Sequence, residues 1–289
     1  MAEITSALIK ELREKTSAGM LDCKKALEEN GGDMAAASDW LRQKGIIKAA
    51  KKADRVAASG LVSAVAKDGL GIVVEVNAET DFVAKNEKFQ ALVSKIAERA
   101  IANKGDFDKT LADTKDELTN TIATIGENMS LRRVAAVSGD AVYTYVHNAI
   151  CPNMGQIGVA VAFKGDAAKL ADIGGKIAMH IAASKPEFMT ISDVDPTAVE
   201  REKKIFIESG ATAGKPDAIA EKMTEGRIKK YYAESVLEEQ PFVIDPSKSV
   251  KQVVLEHGGA IAGYAYYVLG EGIEKRADNL ADEVGKLLK

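Results

Sequence analysis

Cysteine is nearly absent: Cys23 and Cys151 are the only two in 289 residues, far apart and outside any C-x-x-C pattern. That excludes a disulfide framework and makes a reduced, cytoplasmic chain the simplest reading. Histidine is equally sparse, with His147, His180 and His257 scattered and no H-E-x-x-H, so no local metal site is written into the chain. Long apolar runs are missing too. Stretches such as Ile157 to Phe163, which contains a glycine, fall far short of the roughly 20 residues needed to span a bilayer. Glu3, Glu11, Glu14 and Asp22 interrupt the first 30 residues, which therefore do not read as a secretory signal. Positive charge is not in excess: 39 basic against 43 acidic residues leave −4, unlike a protein built to neutralise phosphates. With 46% hydrophobic and 28% charged residues the composition is that of a folded globular chain, and the length suits more than one core.

The chain divides by pattern into helical and sheet-like stretches. Residues 1–45 read as three short helices. Ile4, Leu8 and Leu12 form a stripe behind a Thr5 cap, and Met20, Cys23 and Leu27 form another that ends at Asn30-Gly31-Gly32. Asp33 is placed to cap the third, with Ala37, Trp40 and Leu41 inward and Gly45 as its stop. Segment 44–55, with Lys44, Lys48, Lys51, Lys52 and Arg55 against Asp54, reads as an exposed linker around a short helix. From residue 60 the period becomes two: Leu61 to Val65 and Ile72 to Val76 flank Asp68-Gly69, a hairpin signal. A helix with Phe82, Phe89, Val93, Ile96 and Ala100 on one face follows, then another near 112–125 and a strand from Leu131 to Val137.

The same order of elements recurs, which suggests a duplicated pattern. Val142 to Val146 and Ile157 to Phe163 read as a second hairpin, Leu170 to Ala183 as a helix and Ile261 to Leu269 as a closing strand. Between the last two lies an excursion, 187–247, with helical runs at 196–209 and 216–237 expected to pack as an antiparallel hairpin. Eight basic and seven acidic residues within 196–236 suit a solvated arm or a dimer contact. A last helix is expected at 274–288.

Catalytic constellations are hard to find. His147 and Cys151 stand four apart, but Pro152 favours a loop there over a Cys/His pair. His180 lies in a helix apolar on all faces and reads as a core histidine bonded to a backbone carbonyl. Asn103-Lys104-Gly105-Asp106 matches the N-K-x-D tetrapeptide of GTPases, yet no G-x-x-x-x-G-K-[ST] loop accompanies it, so it reads as a helix end and turn. Gly69 and Gly71 do not continue into G-x-G-x-x-G. What remains is Thr80-Asp81-Phe82-Val83, where a buried strand gives way to a helix. Two readings are open: Thr80 or Asp81 caps the helix with Phe82 as a staple beneath it, or Phe82 and Asp81 project toward a partner.

Read end to end, the chain resembles the bacterial elongation factor Ts family. The resemblance is carried by Ile9-Lys10-Glu11-Leu12-Arg13, Asp22-Cys23-Lys24-Lys25-Ala26-Leu27, Glu79-Thr80-Asp81-Phe82-Val83-Ala84, Ile125-Gly126-Glu127-Asn128 with Arg132-Arg133, Met179-His180, Gln240-Pro241-Phe242-Val243 and Gly270-Glu271-Gly272. It implies an α+β chain in five parts. These are a three-helix module like a ubiquitin-associated domain with its linker (1–55), a core N-subdomain (56–140), a core C-subdomain (141–186 and 238–272), an inserted helical-hairpin or coiled-coil dimerisation arm (187–237) and a C-terminal helical module (273–289). It further implies a guanine-nucleotide exchange factor for elongation factor Tu, without a catalytic site, cofactor or metal of its own. Direct nucleic-acid and membrane contacts are not expected.

In that family the element matching Thr80, Asp81, Phe82 and Val83 enters the partner's G domain and dislodges Mg²⁺. Arg13, Met20 and Leu21 match positions that grip a G-domain helix, Leu21 standing where relatives often carry a second methionine; His147 matches a further binding residue. The arm implies a homodimer or a 2:2 complex, although its balanced charge reads equally as an extended binding surface. One departure stands out: Asn148 to Met154 intervene after His147, and Gln156 replaces an arginine, where relatives pass directly into a Gly-Arg-Ile-Gly-Val strand.

Overall fold

The computed structural model describes residues 4–16 and 18–274. The chain is mixed α+β, and its described residues fall into two compact units: those within 4–62, 74–134 and 268–274, and those within 63–73 and 135–267.

The first unit opens with α1 (Ser6–Thr16), α2 (Met20–Glu29) and α3 (Met34–Ala50). Thr5 Oγ1 accepts the Leu8 N–H at 3.3 Å, and Asp33 accepts from Ala35 and Ala36 at 2.8 and 3.0 Å, as the capping signals require. Gly31 and Gly32 take φ of +60° and +85°, which ends α2 cheaply. Leu12, Cys23, Ala26, Leu27 and Ala37 form a small core. Gly45 does not stop α3, contrary to the expectation from sequence. The helix continues to Ala50, and a Cβ built on Gly45 would lie 3.6 Å from the Ala123 methyl, so the glycine serves close packing on a later helix. Residues 44–50 therefore belong to a long helix and not to a linker.

Strands β1 (Ser59–Lys67) and β2 (Leu70–Ala78) are joined by Asp68-Gly69, with φ of +50° and +75°, the conformation a tight two-residue hairpin demands. Then come α4 (Glu87–Ala102), α5 (Phe107–Ile125), which starts earlier than its periodicity suggested, and β3 (Met129–Ser138). Lys104 and Gly105, in the N-K-x-D look-alike, adopt positive φ between these helices, and Asp106 caps α5: the tetrapeptide is a turn. Phe89, Val93, Ile96 and Ala100 line the buried face of α4 as expected; Phe82 does not belong to it.

One buried carboxylate joins three segments of this unit. Glu75 on β2 has no exposed surface. It accepts from Arg132 at 3.0 and 3.2 Å, Arg133 at 2.5 Å, Asn77 at 3.0 Å and the Gly270 N–H at 2.8 Å. Burial alone would push its pKa up, but donors from Gly270, Asn77, Arg133 and Arg132 outweigh that and hold it below the usual carboxylate range.

The second unit carries β4 (Ala141–His147), β5 (Met154–Gly155), β6 (Ile157–Gly165), α6 (Ala167–Ser184), α7 (Pro196–Glu208), α8 (Asp217–Ser235), β7 (Pro241–Phe242), β8 (Asp245–Ser249), α9 (Val250–Glu256) and β9 (Gly259–Val268). The order β4-β6-β9 makes one sheet, β4 pairing antiparallel with β6 from Ala141↔Phe163 to His147↔Ile157. The short β5 in the atypical loop adds to β1 at the edge of the sheet β3-β2-β1-β5. No element is expected from the sequence at β7, β8 or α9, although Val250, Val253 and Val254 keep helical spacing behind Ser249 and Gln252. Arg227 donates to Glu202 at 2.8 Å where α8 packs back on α7. The helix expected at 274–288 lies outside the described residues.

Helix α6 packs on β4 and β6 through Ile173, Ile177 and Ile181. It approaches so closely that any Cβ on Gly174 would overlap the Tyr143 ring, whereas Gly175 faces open space. His180, fully buried on this helix, is indeed a core residue, but its partners are not a backbone carbonyl. Nε2 faces Gln240 Oε1 at 2.9 Å and Nδ1 accepts the Val243 N–H at 3.2 Å, which fixes a neutral imidazole protonated on Nε2. Burial lowers its pKa below 6.5, with the Gln240 bond opposing in part.

Two outcomes follow. Urea unfolding of Gly174→Ala should show a loss of roughly 1–3 kcal/mol from overpacking, while Gly175→Ala gains about 0.5–1 kcal/mol from helix propensity; equal effects would contradict the packing described. Because the folded-state pKa of His180 is depressed, its contribution to stability is complete above about pH 6.5 and is lost as pH falls through the folded pKa. An NMR titration should find His180 neutral at pH 6.5, and half-protonation at or above that pH would contradict its burial as a neutral acceptor.

Candidate functional site

The Thr80 to Val83 element leaves the end of β2 and turns once before α4. Phe82 to Lys85 form a single 3-10 turn, closed by the Ala84 N–H to the Asp81 carbonyl at 3.2 Å and the Asn86 N–H to the Val83 carbonyl at 2.9 Å. Gln90 reaches back from α4 to the Ala84 carbonyl at 2.9 Å. Val83 and Ala84 are buried, which anchors the turn, and Phe82 is 81% exposed. The cap of α4 is Asn86, which accepts the Lys88 N–H at 2.9 Å, and Asp81 makes no capping bond. The staple reading is thereby excluded. A phenylalanine stabilises a fold by about 1.5–3 kcal/mol when fully buried; here most of that gain is left unused.

Upstream of Phe82 the backbone is held by a pair of crossed carboxylates. Glu127 accepts the Thr80 N–H at 2.9 Å on one oxygen and the Thr80 hydroxyl at 2.7 Å on the other. Reciprocally, Glu79 accepts the Asn128 N–H at 2.5 Å. Asn128 in turn donates through its side chain to the Arg55 and Ala53 carbonyls at 2.7 and 3.3 Å, and Lys52 donates to the Gly126 carbonyl. Three segments, 52–55, 79–80 and 126–128, are thus tied together within one unit. Gly126 makes this geometry accessible: it ends α5 at φ +92°, so that Glu127 and Asn128 follow a sharp turn directly into β3. Glu79, Glu127 and Asn128 drew no role from sequence, because their partners stand 47 to 49 positions away.

The other sequence-derived site residues lie at the surface. Arg13 is exposed in the last turn of α1, and Met20 and Leu21 are 56% and 84% exposed in the first turn of the adjoining α2. All three fall in the same unit as Thr80 to Val83; His147 belongs to the other. His147 is exposed at the end of β4, with Nδ1 3.1 Å from the Tyr145 hydroxyl. In the loop after it, Cys151 bridges to Met154, and the Ala64 N–H donates to the Asn153 carbonyl at 3.1 Å. Burial pushes the Cys151 thiol up, opposite to what a reactive thiolate needs.

Of the five cations in the basic stretch 44–55, Lys44, Lys48, Lys52 and Arg55 have partners among the described residues. Lys44 lies 5.1 Å over the Trp40 ring, Lys48 pairs with Asp22 at 2.9 Å, Lys52 meets the Gly126 carbonyl and Arg55 approaches Glu79 at 3.5 Å. Charges satisfied in this way add little to a phosphate-binding surface. Among the described residues, no three histidine, cysteine or acidic side chains group as metal ligands, and no helix is long and apolar enough to cross a membrane.

Comparison with known proteins identifies the family. A family model described as Elongation factor TS matches residues 79–271, beginning at the carboxylate that opens the pinned loop and ending beside the Glu75 cluster. The chain is 52% identical to an Elongation factor Ts of Hyphomonas neptunium over 300 residues, covering 100% of this chain and 99% of that protein. It is 52% identical to one of Paracoccus denitrificans over 289 residues (98% of each) and 50% identical to one of Rhodospirillum centenum over 305 residues (99% of each). These full-length likenesses extend the match to α1, α2 and α3, which precede the region covered by the family model. The chain belongs to the elongation factor Ts family of translation elongation.

Proposed function

We propose that this chain is the guanine-nucleotide exchange factor for elongation factor Tu, binding its GDP form, displacing Mg²⁺ and promoting GDP release so that GTP can enter. The observation that carries the reading is Phe82: a large apolar side chain held 81% exposed by a turn whose neighbours are buried and whose backbone is pinned. An aromatic presented in this way loses little conformational freedom on docking, which is how a few side chains come to dominate an interface. Phe82 wedges between partner side chains that position the Mg²⁺ ligands, and Asp81 supports the displacement. With Mg²⁺ gone, the diphosphate loses its main neutralising charge.

The chemistry is linkage, with no bond made or broken by this chain. A protein that binds the nucleotide-free partner more tightly than the loaded one weakens nucleotide binding by the same factor, and each 1.4 kcal/mol of coupling is tenfold. Arg13, Met20 and Leu21 supply a grip on the G domain from α1 and α2, and His147 a contact from β4. The exposed apolar surface of Met20 and Leu21 supports this role. Residues 1–55 act as a ubiquitin-associated-like module, 56–140 and 141–186 with 238–272 as core subdomains, 273–289 as a C-terminal module, and the 187–237 arm joins two copies in a homodimer or 2:2 complex. The setting is the cytoplasm, with neither nucleic acid nor membrane contacted directly.

The direct test mixes the chain with elongation factor Tu carrying fluorescent GDP. The intact chain should accelerate release, and no acceleration would overturn the proposal. Phe82→Ala should retain the circular dichroism of the parent and slow release by roughly tenfold or more, the scale of a central interface anchor. Unaltered exchange by that variant would show that Phe82 does not carry the coupling.

A further inference from the structure

The crossed carboxylates next to the exchange element serve no purpose that the proposed contacts already explain. Phe82 is the residue meant to enter the partner, yet nothing in its own 3-10 turn determines the direction in which that turn leaves β2. The side chain of Asp81 caps nothing, and α4 is capped by Asn86 downstream. Upstream, the direction is set at Thr80, where both the backbone N–H and the hydroxyl end on Glu127, one on each oxygen. A bidentate acceptor of this kind fixes the donor residue in rotation as well as position, since tilting Thr80 lengthens one bond or the other. Glu127 is itself immobilised: it follows the left-handed Gly126, whose carbonyl holds Lys52, and precedes Asn128, whose N–H is held by Glu79 and whose amide holds residues 53 and 55.

We propose that Glu127 is a positioning residue for nucleotide exchange, holding Thr80 so that Phe82 stays outward and in register with the partner's Mg²⁺ site. The inference rests on the exchange role of Phe82 and adds to it a residue that does not touch the partner's nucleotide. Because preorganised elements gain most in the step they are shaped for, loss of Glu127 reduces the maximal rate of GDP release more than it weakens encounter with the partner. Its effect passes through Phe82, so the two losses do not add.

A double-mutant cycle on the full chain tests this, with GDP release from elongation factor Tu followed over a range of factor concentrations. Glu127→Ala should lower the maximal release rate by about tenfold, as expected for losing two hydrogen bonds to a charged acceptor, with a much smaller change in the concentration giving half-maximal acceleration. In the Phe82→Ala background the same substitution should cost less than about twofold. Thr80→Ser, which keeps both donors, should retain more of the release rate than Thr80→Val, which keeps only the N–H. If Glu127→Ala fails to fold, Glu127→Gln, which retains one acceptor oxygen, and the Thr80 pair carry the same comparison.

Fully additive losses would overturn the proposal, as would unchanged exchange by Glu127→Ala or equal behaviour of the two Thr80 variants. Failure of the parent chain to release GDP would instead overturn the exchange role itself. A parent that works alongside an inert Glu127 substitution would remove only the positioning role.

Discussion

A phenylalanine kept in water is the constraint around which the first unit is arranged. Left free, a loop bearing Phe82 would gain by folding the ring onto the adjacent helix, and the stapled arrangement is a common way to do so. That collapse is prevented from both sides. Val83 and Ala84 are already buried beneath the turn, and Thr80 is fastened to Glu127 before the turn begins. The cost is modest, because the hydrogen bonds that hold the loop also satisfy backbone groups that would otherwise need water. Glu79 and Glu127, 48 positions apart, each accept from a residue next to the other, so neither segment can shift without disturbing its counterpart.

Elsewhere, polar groups buried for their hydrogen bonds define where chain segments end. Glu75 gathers two arginines and the Gly270 N–H, so the residues after β9 are tied to β2 and β3 within one unit. His180 performs a comparable service in the other, where one imidazole joins α6 to Gln240 and to the Val243 backbone. Each is an unfavourable burial made tolerable by a nearly full set of partners, and each would be costly to leave half-satisfied. Apolar packing surrounds them: Val159, Val161 and Phe163 on β6 meet Ile173 and Ile177 on α6, and the absent side chain of Gly174 admits the Tyr143 ring.

Local signals in the sequence carried the caps at Thr5 and Asp33, the Asp68-Gly69 hairpin and the faces of α4 and α6, because each depends on neighbours within a few residues. Tertiary context overrode local preference at Gly45, where packing against Ala123 keeps a glycine inside a helix. It did so again at Phe82, whose spacing matched the α4 stripe although its backbone belongs to a separate turn. The atypical segment after His147 read as a loop, since two residues of β5 are too few to show a period. At the candidate site Phe82 and Asp81 could be singled out from the strand-to-helix junction, with two readings open. Glu127 could not, because its meaning depends on Thr80, which only the folded chain brings within 3 Å.

In the proposed mechanism, Phe82 releases GDP by removing the partner's Mg²⁺ from its site. The most direct test of this step compares GDP release from elongation factor Tu with Mg²⁺ present and after chelation, with the parent chain and with Phe82→Ala. If Phe82 acts through the metal, the difference between the two chains is large with Mg²⁺ and shrinks once the metal is gone. A difference of the same size under both conditions would contradict the claim.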